Sequence, residues 1–306
     1  MANGTKTIGP LVLAPVQSER IWGVSSLEPW FDVKGLEKPV GEMWLTAEDC
    51  RIESGSLQGE TLDAVVKRFP ELLGEPGVGG FPLLIKILFP SDKLSVQVHP
   101  NDAQARAVGE MRGKTECWYV LSAEPGAAVA LGFNEAMTVE QVRESIAAGT
   151  LEEKLAQVPV KAGDMVFVDA GTVHAIGPGV IILETQEYSD ITYRLFDYGR
   201  PRELHLDAGL AVTRVETGAG VVAPVDRGDR VELVRSDYFV VDRFVEDAEL
   251  GFADDLQILI ALTERCGLVS DEGEAMALPK ARAVVLPGEG VGYRLRGVGE
   301  VVRVRR

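Results

Sequence analysis

The chain has 306 residues, enough for one large domain or two ordinary ones, and its 46% apolar content is ample for a sizeable core. With 47 acidic against 31 basic side chains, the formal charge of −16 argues against nucleic acid or an anionic membrane surface as partner. A small anionic substrate stays open, because it needs only a local cluster of Lys and Arg. The three cysteines, Cys50, Cys117 and Cys266, are odd in number and widely spaced, so they form no disulfide framework and point to a reducing cytoplasm. The N-terminus shows no signal-peptide pattern, and no uncharged apolar run approaches membrane-spanning length.

Short apolar runs broken by turns fill residues 8–45, including I-W-G-V from Ile21 and G-E-M-W-L from Gly41, and read as strands. Helical spacing of Leu62, Val65, Val66 and Phe69 predicts a helix near 61–75, ended or kinked by Pro70, with Gly74 as its stop. Phe81–Pro90 is a nearly continuous apolar strand whose single charge, Lys86, reads as structural or peripheral, a lysine snorkelling from an edge, with a cation pointing into a site as the alternative. Then comes L-S-V-Q-V-H-P-N-D, Leu94 to Asp102. A period of two places Ser95, Gln97 and His99 on one face and Leu94, Val96 and Val98 on the other, and Pro100 stops the ladder.

In K-T-E-C-W-Y-V-L the same alternation groups Lys114, Glu116, Trp118 and Val120, and Cys117 and Trp118 read as core or wall. Thr138 to Leu155 is amphipathic with a T-x-x-Q capping signal and predicts two short helices near 138–156, broken at Gly149. Lys161 to Gly179 reads as a turn, a short strand, an Ala-Gly turn and His174; further strands run to Arg200, and His205 falls in a short helix and linker. Beyond Val215 the strands are short and valine-rich, separated by Gly-rich turns, and no histidine occurs. This predicts a first domain over 1–214 and a small C-terminal β-barrel or sandwich over 215–306 without a metal site of this kind.

Zinc and similar cations take three or four N and O ligands, and Gln97, His99, Glu116 and His174 could supply that set. Spacing alone leaves each open to a plainer reading, Glu116 as an edge carboxylate and His174 as a turn histidine. The G-D-x-V-x-V-x-A-G-x-x-H form of residues 163–174 resembles the second metal motif of cupin barrels. S-V-Q-V-H-P-N-D, K-T-E, A-G-T-V-H-A-I-G and S-D-I-T-Y-R together resemble class I mannose-6-phosphate isomerases, over roughly residues 20–205. Asp169 departs from the proline usual in that cupin turn, and Val24 stands where a second glycine is usual after Trp22-Gly23.

The resemblance implies a mainly β fold of two cupin-type jelly-roll domains, with a few short helices in the catalytic half. It implies one zinc ion per chain on Gln97, His99, Glu116 and His174, and interconversion of mannose 6-phosphate and fructose 6-phosphate through an enediol. Arg194 matches the family's essential arginine, and Ser95 and Lys114 match its substrate contacts. Glu184 and Asp190 are the acid/base candidates, with a structural ion pair to Arg194 as the competing reading. Two other functions fit a cupin: a non-catalytic, regulatory binder of a sugar phosphate, and an iron oxygenase, which would favour imidazole-rich ligation.

Overall fold

Period-two alternation builds most of this molecule, and its consequence is a set of antiparallel sheets packed face to face. The computed structural model describes residues 8–73, 79–251, 256–287 and 291–306. Gly74 lies outside the described residues. Contacts divide the chain into two compact units: residues 17–43 with 83–223, and residues 1–16 and 44–82 with 224–306. Each unit is thus assembled from segments distant in sequence, whereas a boundary near residue 215 is a single cut along the chain. The mainly-β expectation holds in both.

The first unit holds a five-stranded sheet in the order Tyr193–Phe196, Val96–Val98, His174–Ile176, Ala128–Phe133, Leu155–Pro159. Facing it is a seven-stranded sheet in the order Gly220–Val222, Met165–Val168, Glu116–Ala123, Val180–Glu187, Leu83–Leu88, Val40–Trp44, Val16–Val24. One core draws on both: Val129, Leu131 and Ile176 from the smaller sheet meet Leu88, Trp118, Val120, Val166 and Ile182 from the larger. Burial of such side chains contributes about 1.5–3 kcal/mol each. The outer face of the smaller sheet is covered by helices. Val142, Ile146, Leu210 and Val212 pack there on Val96, Val98, Ala175 and Leu195. The side chains between those, Gln97, His174 and Arg194, are therefore turned inward.

The helices lie where periodicity and capping put them. Val139–Ala148 begins at a Thr138–Gln141 capping box and ends at Gly149 in the left-handed conformation, and a short 3-10 turn follows at Leu151–Lys154. Leu62–Arg68 is capped by Thr61 and gives way to a 3-10 turn at Pro70–Leu73. One detail of the Leu94–Asp102 reading changes. The ladder is regular only over Val96–Val98, so Leu94 packs in the inner core with Trp118 instead of joining Val96 and Val98.

The second unit repeats the sandwich with its own residues. A seven-stranded sheet contributes Phe244, Leu259, Val284 and Val301 to a core shared with Leu250, Leu268, Tyr293 and Leu295 of a four-stranded sheet. No helix among the described residues is long and apolar enough to cross a membrane.

Candidate functional site

Cross-strand register decides which inward side chains meet. Gln97 lies opposite His174 on one neighbouring strand and opposite Arg194 on the other. Directly opposed residues share a face, so Arg194, Gln97 and His174 form one row. On the facing sheet Ile182 is flanked by Leu88 and Val120, an apolar row. Two residues along, Glu184 is flanked by Lys86 and Trp118, and two further, Gln186 is flanked by Leu84 and Glu116. One end of the sandwich is thus packed hydrocarbon, and the other carries charge.

At that charged end, donor atoms of His99, Glu116 and His174 all lie within 4.8 Å of one another. The three residues are 1%, 0% and 0% exposed. Glu116 Oε2 is 3.8 Å from His99 Nε2, and its Oε1 is 3.4 Å from His174 Nε2. Both imidazoles are oriented from behind. His99 Nδ1 donates to the Ile191 carbonyl and His174 Nδ1 to the Thr172 carbonyl, each at 2.9 Å. A carbonyl can only accept, so Nδ1 carries the proton and Nε2 turns a lone pair toward Glu116. Burial pushes both histidines down, His174 to about 4 and His99 well below its ordinary range, helped at His99 by the Lys114 charge. Both rings are neutral at pH 7, the form that ligates metals.

Lys114 Nζ stands 2.7 Å from Glu116 Oε2 and 3.2 Å from His99 Nε2. That is close enough for charge attraction, yet neither Glu116 oxygen receives a hydrogen bond of acceptable geometry. A fully buried carboxylate with both oxygens unmet is costly unless a cation sits against it. Two neutral imidazole nitrogens and a carboxylate suit zinc, and these residues fit it. Gln97 flanks the cluster, with its Nε2 at 3.3 Å from His174 Nε2 and its Oε1 accepting from Ser95 Oγ at 3.3 Å. A half-turn of the amide exchanges the two atoms, and only the turned amide offers oxygen to a cation.

Above the cluster opens a cavity of about 470 Å³. Ser95, Gln97, Lys114, Glu184, Asp190 and Arg194, all predicted from sequence, line it. So does Lys86, which the sequence reading treated as structural. Lys86 is 2% exposed, and its Nζ lies 3.6 Å from Glu184 Oε2 and 3.3 Å from Asp190 Oδ1. The competing reading of Glu184 and Asp190 as partners of Arg194 therefore gives way: their ion pairs are made to Lys86. Trp118, expected as wall, donates Nε1–H to Glu184 Oε1 at 3.2 Å.

The two carboxyl groups are pushed in opposite directions. Burial and then the Glu116 charge raise Glu184, against the pull of Lys114 and Lys86. Burial acts to raise Asp190 too, but Lys86 and Lys114 overcome it and hold Asp190 low. Such a divergence lets one carboxyl give a proton while the other takes one. Burial opposes the Lys114 ammonium, yet Glu116 and Glu184 raise it above its ordinary value, so it stays charged.

Arg194 is fixed by a segment whose role the sequence did not reveal. Its Nη1 donates to the Glu203 carbonyl at 2.8 Å, and its backbone N–H donates to His205 Nδ1 at 3.1 Å. Its Nε is buried without a partner. Beside it in the cavity wall, Arg202 grips Asp197 through Nε and Nη2 at 2.7 and 2.5 Å. Arg20, paired with Glu42 at 2.8 Å, completes the basic lining. The only advance signals for these were a charge inside an apolar strand at Lys86 and the R-P-R run after Gly199.

Residues 11–138 match the model of the phosphomannose isomerase type I catalytic domain. The chain is 34% identical to the mannose-6-phosphate isomerase of Streptococcus mutans, over 96% of this chain and 97% of that one. Its structure resembles that of mannose 6-phosphate isomerase from Bacillus subtilis with a TM-score of 0.87 at 29% identity, covering 97% of this chain and 99% of the other. A zinc-bound mannose 6-phosphate isomerase, 18% identical, shares the fold with a TM-score of 0.78 over 97% of this chain and 99% of its own.

Proposed function

This chain belongs to the mannose-6-phosphate isomerase family, and on that premise we propose that it interconverts mannose 6-phosphate and fructose 6-phosphate in the cavity above His99, Glu116 and His174. The observation that carries the reading is the buried Glu116 carboxylate, both oxygens without a hydrogen bond, between two neutral imidazoles at the foot of a charged cavity. His99, Glu116 and His174, with Gln97 once its amide is turned, hold one zinc ion. Zinc supplies a Lewis acid that draws charge from the carbonyl end of the open-chain sugar.

The remaining work falls to side chains. Moving a carbonyl between C1 and C2 requires a proton to leave one carbon and return to the other. Asp190, held ionised by Lys86, takes it, and Glu184, raised by burial, is the neighbouring acid. Lys114 stays an ammonium and faces the developing oxyanion. Arg194, pinned by Glu203 and His205, presents its unpartnered Nε for the substrate, and Ser95 offers a hydroxyl. The phosphate, remote from the reacting carbons, supplies binding energy for positioning. Free thiols at Cys50, Cys117 and Cys266 support a reducing, cytoplasmic setting.

Neither other reading keeps its footing. A regulatory binder would need none of the paired acids beside the cluster, and the relatives are isomerases. An iron oxygenase would favour more imidazole than two histidines supply. The test is a coupled assay on mannose 6-phosphate, with and without a chelator. Turnover lost on chelation and restored by zinc is expected; no turnover, or turnover indifferent to the chelator, overturns the proposal.

A further inference from the structure

The P-N-D after His99 and the threonine inside K-T-E have no part in the chemistry above, yet the structure ties them together. Asn101 caps the helix Asp102–Ala107 in a capping box with Gln104. At the helix start, Asp102 Oδ1 accepts the Gly113 N–H at 2.8 Å, and the Lys114 N–H reaches the Pro100 carbonyl at 3.0 Å. The approach is close: a Cβ on Gly113 would stand 2.5 Å from the Asn101 backbone carbon. Thr115 is then gripped from the other side. Its N–H donates to Glu187 Oε2 at 2.9 Å, and its carbonyl accepts the Glu187 N–H at 3.1 Å.

Glu187 is 3% exposed and is absent from the cavity lining. Asp102 and Glu187 thus accept the N–H groups on either side of Lys114, one carboxyl group from each side. Burial, and then Asp102, push Glu187 up to about 7 against the Thr115 N–H. Asp102, despite its burial, is held low by the Gly113 N–H, Glu187 and Arg106. Of the two, Glu187 is the one pushed toward its neutral form. The charged groups beside the pair are Arg106, 3.2 Å from Asp102, and Lys114 and Glu116, the two chain neighbours of Thr115.

We infer that Glu187 and Asp102 are positioning residues, whose side chains accept the Thr115 and Gly113 N–H groups and together clamp Gly113–Thr115, and so hold Lys114 and Glu116 against His99. Neither touches the cavity; they act through the backbone on either side of Lys114. The clamp ties the motif that carries His99 to the strand that carries Glu116, in addition to the ladder that pairs Glu116 with Gln186 and Val168. The inference rests on the isomerase reading only where activity is the readout.

The sign with pH follows from the raised acid. The clamp is intact while Glu187 keeps its proton and loosens as pH rises through about 7, where two carboxylates face each other. The test uses the zinc-loaded full chain and the variants Glu187→Gln and Glu187→Ala. Glutamine keeps an oxygen to accept from Thr115 and carries no charge at any pH. Wild-type kcat should fall between pH 7 and 8.5, whereas Glu187→Gln should stay within about threefold of wild-type kcat near pH 6.5 and show no such fall. Glu187→Ala should lose about tenfold in kcat with KM little changed, and about tenfold in zinc retention against a chelator.

Wild-type kcat and zinc retention in Glu187→Ala would overturn the clamp, as would Glu187→Gln matching the alanine variant or keeping the alkaline fall. If Glu187→Ala does not fold, the pH profile of Glu187→Gln decides alone. If wild type itself turns over no mannose 6-phosphate, the isomerase reading fails, and zinc retention in the two variants still decides the clamp.

Discussion

Replacing Lys86 by methionine tests whether the charged end of the sandwich is held as described. Lys86 and Glu184 are 2% and 4% exposed, so their attraction at 3.6 Å is little screened by water. Asp190, the other partner at 3.3 Å, is 56% exposed and contributes little. Methionine keeps the stem and removes the charge, leaving Glu184 with the Trp118 Nε1–H as its remaining hydrogen bond here. Stranding one member of a buried pair costs about 3–5 kcal/mol. Taking the lower end, because Lys114 still attracts Glu184 and a cavity stands beside it, Tm should fall by roughly 6–12 °C at pH 8.

The pH dependence makes the test specific. Glu184 is raised above its unfolded value by burial and by Glu116, and loss of Lys86 raises it further. Stability linked to a raised acid is full below the unfolded pKa and is lost as pH rises through the folded one. The Lys86→Met deficit should therefore be smaller at pH 5 than at pH 8, because Glu184 takes up a proton more readily as pH falls. Adding Glu184→Gln to Lys86→Met removes the stranded charge and should recover most of the loss at pH 8. Thermal unfolding of the three proteins at both pH values measures all of this. A Tm within 2 °C of wild type at pH 8, a deficit equal at both pH values, or a double variant no better than the single one refutes the account.

Two further outcomes follow from the site. His99→Ala and His174→Ala should each lose zinc and activity with far-UV circular dichroism unchanged, and Gln97→Ala should be milder, because a neutral amide contributes less than an imidazole; metal analysis should give one ion per wild-type chain, and full occupancy in either histidine variant would remove the cluster from the metal site. Arg194→Lys keeps the charge but loses the planar fork that the Glu203 carbonyl orients. It should cost roughly tenfold to a hundredfold in kcat/KM with zinc content unchanged, and steady-state kinetics at wild-type values would place Arg194 outside the reaction.

What the sequence made legible is what depends on local alternation. Gln97 and His174 turn inward because Val96, Val98 and Ala175 turn outward, and that pattern is written in neighbouring residues. Lys114, Glu116 and Trp118 share a face for the same reason. What it hid depends on register between distant strands. Glu184 has Lys86 as its cross-strand neighbour, yet nothing within a few residues of either distinguishes that pairing from an ion pair with Arg194. His205 and Asp197 orient arginines through contacts that no spacing rule supplies. The grouping of residues 44–82 with 224–306 is likewise a fact of long-range contacts and leaves no composition change at residue 82 or 224.

Lys86 shows why the sequence favoured an edge lysine over a cation pointing into a site, the reading that the cavity lining supports. A strand buried on both faces reads as unbroken hydrocarbon, so a lone cation in it looks peripheral. The sheet, however, changes character within two residues, from the apolar row of Leu88, Ile182 and Val120 to the row of Lys86, Glu184 and Trp118. Charge is tolerable there only because each member has a partner: Lys86 against Glu184 and Asp190, and Glu184 against Trp118. Glu116 has the Lys114 ammonium at 2.7 Å, but its oxygens accept no hydrogen bond and stand between two lone pairs. The apolar rows hold the sandwich together, the partnered charges set the cavity wall, and the buried Glu116 carboxylate, which accepts no hydrogen bond, marks where a metal cation completes the structure.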